Sequence, residues 1–208
     1  MDTKPENLLV KQACGWVLAS LTWISIAIQL LISNAPLGNF FSYFTILSNS
    51  LVALSLTLAN LSPSSPAGRF FGRLTVQTAI ALYISAVCLV YNTVLRGLYV
   101  LQGWSLYMDN MLHLVIPVLY VLYWILFRSK GHLAWRNGLQ WIIFPLLYLG
   151  YSLIRGSILH WYPYPFLNVD QIGYHQVLFN SSVMLALFFA GGLLLIWIFK
   201  LAKKRQVQ

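Results

Sequence analysis

The sequence predicts an all-α, polytopic membrane protein with six transmembrane helices and both termini in the cytoplasm. Only 8% of the 208 residues are charged, roughly a third of the share in an average soluble domain. The mean hydropathy is +0.73, and no charged residue occurs between Lys11 and Arg69. A helix that crosses a bilayer needs about 20 consecutive apolar residues. We therefore expect one membrane domain that comprises residues 1–208.

Turn-forming segments separate the six predicted helices. The first helix follows Lys11, and its apolar run of about 21 residues exceeds the roughly 7–15 of a signal peptide, so we expect a retained span. "SNAPLGN", "SPSSPAGR", "LRGLYVLQGW", "RSKGHLAWRNG" and "HWYPYPFLNVDQIG" then separate successive helices. The predicted spans are residues 9–32, 41–61, 72–95, 108–127, 138–157 and 174–199, and a basic tail occupies residues 200–208.

The cationic residues predict the orientation of these helices. Cytoplasmic loops of membrane proteins are enriched in Lys and Arg, and the net charge of +9 is concentrated on the side of the two termini. The residues on this side are Lys4, Lys11, Arg69, Arg73, Arg128, Lys130, Arg136, Lys200, Lys203, Lys204 and Arg205. We expect the tail to bind anionic lipid. Cations placed at helix ends in this way do not indicate a nucleic-acid partner.

Four ionisable residues depart from this pattern and fall at the outer ends of predicted helices: Arg96, Asp109, Arg155 and Asp170. Ionisable groups at membrane depth are costly, and they usually face a bundle interior or a cavity. We therefore expect a polar pocket that opens towards the outer leaflet.

The second and fourth predicted helices supply polar residues to this pocket. Thr45 and Asn49 are four residues apart, as are Asp109 and His113, and residues four apart share a helix face. Asn110 lies beside Asp109. At ~1.5 Å per residue, we predict that Thr45 and His113 both lie about 6 Å inside their outer helix ends, as two cooperating side chains require.

Pro117 follows His113 by four residues and lacks the N–H that would bond the His113 carbonyl. We expect a kink there, which opens space beside the imidazole. Asp109, one turn outward, either accepts a hydrogen bond from His113 and raises its basicity or pairs with Arg96 or Arg155. The sequence leaves these alternatives open.

Further polar residues are predicted at the same level of the membrane. Asn92 lies one turn before Arg96 in the third helix. The outer loop and the start of the sixth helix add a predicted pocket lid, which comprises His160, Tyr162, Tyr164, Asp170 and His175.

Three segments resemble a known family. "FSYFTILSNSLVAL" (41–54) and "DNMLHLVIPVLYVLYWILF" (109–127) resemble the threonine and histidine segments of the androgen-induced-gene family of integral membrane hydrolases. "WYPYPFL" resembles the outer aromatic-proline loop of that family, and the similarity covers residues 10–200. The chain also resembles a prokaryotic six-span branch of the same group, so we expect it in a prokaryotic cytoplasmic membrane.

The resemblance implies a hydrolase for esters formed between a fatty acid and a hydroxy fatty acid, with Thr45 as nucleophile and His113 as general base. A threonine hydroxyl is a weak nucleophile until a neighbouring base takes its proton, and histidine can do so near neutral pH. The expected partners are the bilayer and membrane lipids or fatty acyl esters as substrates. We predict neither a cofactor nor a metal for this reaction.

Other polar residues have supporting roles in this interpretation. Asn49, Asn92 or Asn110 would donate a hydrogen bond to the developing oxyanion. Arg96 or Arg155 would bind a substrate carboxylate or headgroup, because a guanidinium matches the geometry of a carboxylate.

Two other classes of function remain open. A transporter or lipid-binding protein without catalysis would need polar residues in the cytoplasmic half as well. Such residues are scarce in the sequence, and Thr75, Gln77 and Gln140 are the main ones. A zinc-dependent hydrolase would use His113, Asp109, His160 and His175 as ligands, although the sequence contains no HxxxH or HExxH motif.

Overall fold

A computed structural model describes residues 5–98, 100–129 and 131–205. Its described part is all-helical, without strands. Within it, six helices are long and apolar enough to cross a membrane. They are α1 (Pro5–Ile32), α2 (Phe44–Leu61), α3 (Leu74–Leu95), α4 (Gly103–Phe127), α5 (Arg136–Leu159) and α6 (Val169–Arg205). The predicted all-α, six-span class is thereby confirmed. Lys4, Lys130 and residues 206–208 of the predicted tail lie outside the described residues.

Four helices begin three or more residues away from the start that the hydropathy pattern indicates. α1 begins four residues earlier, at Pro5. α2 begins three residues later than predicted, because Leu37–Phe40 forms a separate short helix and Tyr43 is extended. α4 begins five residues earlier, at Gly103, whose φ of +56° ends the preceding loop. α6 begins five residues earlier, at Val169, and is interrupted at Gly173 (φ +72°, ψ 160°), next to the predicted start.

These starts overturn the expectation that the two candidate catalytic residues lie equally far from their outer helix ends. Thr45 is the second residue of α2, whereas His113 is the eleventh of α4. Equal distance from a helix end was therefore the wrong reason to expect the two side chains to meet.

The contacts divide the chain into two compact units, Met1–Gly131 and His132–Gln208. In the first unit each helix contacts the next one in sequence, and α1 also contacts α4, which closes a four-helix bundle. Because neighbours joined by short connections run antiparallel, the starts of α2 and α4 lie at one end of this bundle. The starts of α1 and α3 lie at the other end.

The interior of the first unit combines small residues with satisfied polar groups. Ala53 and Ala81 are fully buried, and small residues let membrane helices approach closely. The buried Thr78 hydroxyl donates to the Leu74 carbonyl at 2.7 Å and accepts a hydrogen bond from Trp124 Nε1 at 3.1 Å. Such pairing is required because an unpaired polar group in hydrocarbon is costly.

The second unit comprises α5, α6 and the loop between them. Gly138 of α5 faces Leu193 and Phe189 of α6. The loop is held against α5 at Gly156, where a Cβ atom would overlap the ring of Tyr162. Tyr162 is itself buried, so Gly156 is required for this close approach.

We expect Gly156→Ala to lower the free energy of unfolding by about 1–3 kcal/mol, because an added methyl group forces a buried ring to move. Thermal unfolding of the purified protein in detergent measures this change. Gly150→Ala is the matched control, since nothing lies within 4 Å of a Cβ at Gly150 in the described structure. An equal effect of both substitutions would contradict the packing explanation.

Candidate active site

The structure brings Thr45 and His113 together inside the first unit. Thr45 Oγ1 lies 3.2 Å from His113 Nε2, which is hydrogen-bond distance. Thr45 is 7% exposed, and the His113 side chain is 16% exposed. The pair is thus sheltered but still accessible from outside the bundle.

Asp109 orients the imidazole of His113. His113 Nδ1 lies 3.1 Å from Asp109 Oδ1 and 2.9 Å from the Asp109 backbone carbonyl. A carbonyl oxygen can only accept, so Nδ1 carries the proton of the neutral ring. Nε2 is therefore unprotonated and can accept a proton from the Thr45 hydroxyl. A base–nucleophile pair requires this tautomer.

Tyr91 of α3 completes the cluster. Its hydroxyl donates to Asp109 Oδ2 at 2.5 Å, and its ring stacks on the His113 imidazole with centroids 3.7 Å apart and planes 15° apart. The two Asp109 carboxylate oxygens are thus bound by different residues, which fixes the carboxylate. Sequence reasoning missed Tyr91, because a tyrosine near a helix end is typical of the membrane interface.

A widened turn of α4 carries His113. Met111–Val115 forms a π-helical turn, in which the N–H of Ile116 donates to the Met111 carbonyl. The Leu112 carbonyl therefore lacks the N–H that an α-helix would supply. Pro117 has no N–H for the His113 carbonyl. Single π-helical turns are frequent at functional sites.

Two asparagines from neighbouring helices bond these carbonyls. Asn49 Nδ2 of α2 donates to the Leu112 carbonyl at 3.1 Å, and Asn92 Nδ2 of α3 donates to the His113 carbonyl at 3.3 Å. The proline and the widened turn thus expose backbone acceptors that attach α4 to the helices on either side. The position of His113 relative to Thr45 is fixed by these bonds.

Arg96 binds two amides at the exposed rim of the cluster. Its Nη1 donates to Asn92 Oδ1 at 2.6 Å and its Nη2 to Asn110 Oδ1 at 3.1 Å. The sequence left His113, Arg96 and Arg155 open as partners of Asp109. In the structure Asp109 contacts His113, and Arg96 binds Asn92 and Asn110 instead. Arg96 follows a second π-helical turn, Tyr91–Leu95.

Asn49, Asn92 and Asn110 differ in whether the side-chain amide has an N–H group that could bind a substrate oxygen. Asn49 Nδ2 also donates to the Thr45 carbonyl at 2.9 Å, and Asn92 Nδ2 to the Cys88 carbonyl at 2.8 Å. Both amide hydrogens of each residue are therefore committed to backbone carbonyls, which makes Asn49 and Asn92 supports of the site. Asn110 Nδ2 donates only to the Leu106 carbonyl among the described residues, at 2.9 Å.

The other predicted site residues lie in the second unit. His160 Nδ1 is 3.0 Å from Asp170 Oδ2, and both side chains are exposed. Tyr164 stacks on Phe166 with centroids 5.1 Å apart. The Arg155 guanidinium lies 5.0 Å from the Trp161 ring centroid. These contacts organise the loop, and its role as a lid stays a prediction.

Two further residues of the predicted lid differ in exposure. His175 is exposed on α6, whereas Tyr162 is buried against Gly156. Desolvation raises the pKa of the Tyr162 phenol, and the negative charge of Asp170 raises it further.

The proposed zinc ligands do not form a metal site. Among the described residues, no three His, Cys, Asp or Glu side chains form a group that could hold a metal ion. His113 and Asp109 contact each other and Tyr91 instead.

No protein-family model matches the sequence, and neither curated proteins nor solved structures gave a significant match. The fold is that of a helical integral membrane protein. Its first unit contains a Thr–His–Asp–Tyr cluster.

Proposed function

We propose that this protein is an integral membrane hydrolase that cleaves lipid esters, with Thr45 as nucleophile and His113 as general base. The observation that carries the proposal is the 3.2 Å contact between Thr45 Oγ1 and His113 Nε2, with His113 Nδ1 held by Asp109. Nucleophile, base and orienting carboxylate stand here in the order found in acyl-transfer enzymes on unrelated folds.

The arrangement supports a two-step reaction. His113 Nε2 takes the proton of Thr45 as Oγ1 attacks the ester carbonyl, and Asp109 stabilises the resulting imidazolium. The imidazolium then protonates the leaving alkoxide, which departs as an alcohol and leaves an acyl group on Thr45. A water molecule, deprotonated by His113, then attacks the acyl group, the bond to Thr45 Oγ1 breaks as the imidazolium returns its proton to that oxygen, and the fatty acid is released.

Two features of the site favour the oxyanion of this reaction. Thr45 lies in the first turn of α2, where the helix dipole is positive and favours negative charge. Asn110 has an amide hydrogen to donate, and one such donor is typically worth roughly 3–4 kcal/mol in the transition state. Asn49 and Asn92 could take this role only by giving up a bond to a backbone carbonyl.

The substrate class rests on the family resemblance and on the charge at the rim. An ester between a fatty acid and a hydroxy fatty acid has two apolar chains and one free carboxylate. Arg96 is exposed and fixed by Asn92 and Asn110, so its guanidinium can bind that carboxylate while the chains contact the apolar helices. We place the pocket at the outer leaflet of a prokaryotic cytoplasmic membrane, with both termini inside. Arg155 lies in the second unit, and its role towards this carboxylate stays a prediction from the sequence.

Hydrolysis of such an ester by the purified protein is the direct test. We expect release of both the fatty acid and the hydroxy fatty acid, measured by mass spectrometry. Addition of a strong chelator tests the zinc alternative, since loss of activity that zinc restores would favour it.

We expect Asp109→Asn to lower kcat by about 10²–10⁴-fold with little change in KM. An amide can donate to His113 Nδ1, which would move the proton to Nε2 and leave His113 unable to accept the proton of Thr45. Steady-state kinetics measures the change. Asp170→Asn is the matched control, because Asp170 contacts His160 in the second unit. Unchanged kcat in Asp109→Asn would remove Asp109 from the mechanism.

A lipid-binding or transport function is the second candidate, and one observation favours it. Polar side chains line a cavity at the other end of the first unit, including Ser55, Asn60 and Gln77. The first unit therefore has polar residues at both ends, as such a protein requires. Absence of ester turnover together with binding of intact lipid would favour this alternative.

A further inference from the structure

A cavity of about 450 Å³ lies at the end of the first bundle opposite to Thr45. Its wall includes Asn60, which follows Thr45 by 15 positions in α2, so the two are about 22 Å apart along the helix axis. Lys11 of α1 and the start of α3 also contribute to the wall. The cavity is therefore separate from the candidate active site.

The lining of this cavity is strongly cationic. Lys11, Arg69 and Arg73 all line it, and Lys11 is half-buried. Of the acidic residues, Glu6, Asp109 and Asp170 are not part of the lining, and Asp2 lies outside the described residues. Three cations around one concave site attract an anion, since low-dielectric walls concentrate their field.

Both arginines keep most of their hydrogen-bond donors. Arg69 Nη1 donates to the Ser64 carbonyl at 2.6 Å, and the Arg73 guanidinium lies 5.9 Å from the Phe70 ring centroid. A guanidinium has five N–H donors in a planar fork, which matches a phosphate or a carboxylate. These contacts position the two side chains and leave donors for a ligand.

Neutral polar residues also belong to the lining, among them Asn60, Gln77 and Ser129. Asn60 Nδ2 is buried and has no hydrogen-bond partner among the described residues. The Asn60 amide lies against Gly15, where a Cβ atom would overlap it, and the Tyr123 hydroxyl lies beside the same glycine. This nitrogen therefore faces α1 and not the cavity, and the charged ends of Lys11, Arg69 and Arg73 are the donors that an anion would meet.

The size of the cavity favours a lipid headgroup over a bare ion. Small-molecule sites typically measure roughly 300–1,000 Å³, and a single phosphate would fill only part of this one. Leu56, Ala59 and Pro63 add an apolar section to the lining. The cavity also lies where α2 ends and α3 begins, at the predicted level of the headgroups.

We propose that this cavity binds the phosphate of an anionic phospholipid headgroup, with Arg69 and Arg73 on the phosphate oxygens and Lys11 as a further donor. The site does not depend on ester hydrolysis by Thr45. Its chemistry is shared by soluble phosphate, so the source of the anion has to be distinguished by experiment.

Native mass spectrometry of the purified full-length protein in detergent tests the proposal. The probes are dioctanoyl phosphatidylglycerol, which is anionic, dioctanoyl phosphatidylcholine, which has no net charge, and inorganic phosphate as a competitor. We expect phosphatidylglycerol to bind more tightly than phosphatidylcholine. The double variant Arg69→Gln/Arg73→Gln should weaken its binding by about tenfold or more, because two charge-assisted hydrogen-bonding groups are lost.

The matched control is Arg128→Gln/Arg136→Gln, which removes the same charge from residues outside the lining. Arg69→Lys/Arg73→Lys keeps the charge and should retain most of the lipid binding. If a double variant misfolds, lipid binding by the single variant Lys11→Gln provides an independent measure. If millimolar phosphate displaces the lipid, and the substitutions at Arg69 and Arg73 weaken phosphate binding, this result supports the anion site and identifies its ligand as soluble phosphate. Equal binding of both lipids, or equal weakening by the two Gln double variants, overturns the proposal.

Discussion

Thr45→Ala is expected to lower kcat for ester hydrolysis by at least about 10³-fold. The substitution removes the only atom that can form the acyl-enzyme and leaves the helix intact, since alanine is a good helix former. Release of fatty acid from a hydroxy fatty acid ester, followed over time, measures the loss. Circular dichroism and thermal unfolding establish that the variant is folded.

Two variants at hydroxyl residues of α2 serve as controls for this prediction. Thr45→Ser keeps the attacking oxygen and should retain measurable turnover. Thr57→Ala makes the same chemical change in the same helix at a hydroxyl that accepts a hydrogen bond from Trp23 Nε1 at 3.2 Å, and it should leave kcat unchanged. Full activity in Thr45→Ala would end the assignment of Thr45 as the nucleophile.

His113→Ala is expected to lower kcat by about 10²–10⁴-fold, the usual contribution of a general base. This variant also removes the ring on which Tyr91 stacks and leaves Asp109 without its imidazole partner, so part of the loss could come from structure. His113→Gln keeps the size and polarity of the side chain but cannot take up a proton in the working pH range. Both variants should therefore lose activity to a similar extent.

The exposed His132 provides the matched control, because His132→Ala removes an imidazole outside the cluster. Its kcat should equal that of the wild type. Wild-type kcat in His113→Gln would contradict the role of His113 as general base, whatever the behaviour of the alanine variant.

The geometry explains why α4 carries an acid, a histidine and a proline within nine residues. The charge of Asp109 is accommodated by hydrogen bonds from Tyr91 and His113, as a membrane interior requires. Pro117 and the widened turn before it free two carbonyls, which Asn49 and Asn92 bond. The same departures from a regular helix thus fix the imidazole and connect three helices.

The class of fold was predictable from sequence because hydropathy alone determines it. An uncharged apolar stretch long enough to span a bilayer has few alternatives to a helix. The helix starts were less predictable, since Leu37–Phe40 and the turn at Gly103 depend on backbone conformation and not on hydropathy. Thr45 and His113 could be chosen because polar residues are rare in such helices.

Tyr91 and the cationic cavity could not be predicted, for a common reason. Tyr91, Tyr120 and Tyr123 are indistinguishable in sequence from interfacial tyrosines, and only tertiary contacts separate their roles. Thr75, Gln77 and Gln140 were the polar residues that the sequence indicated for the cytoplasmic half, and in the structure Asn60, Tyr120 and Tyr123 line one cavity with Gln77. Sequence spacing within one helix carries no information about which faces of other helices it meets.

Covalent labelling with a fluorophosphonate probe tests the central claim most directly. The reagent phosphonylates an activated hydroxyl with release of fluoride, and the modified residue is identified by peptide mass spectrometry. We predict modification of Thr45 in the wild type and none in Thr45→Ala or His113→Ala. Modification of the neighbouring Ser48 instead, or undiminished labelling of Thr45 in His113→Ala, would contradict the account.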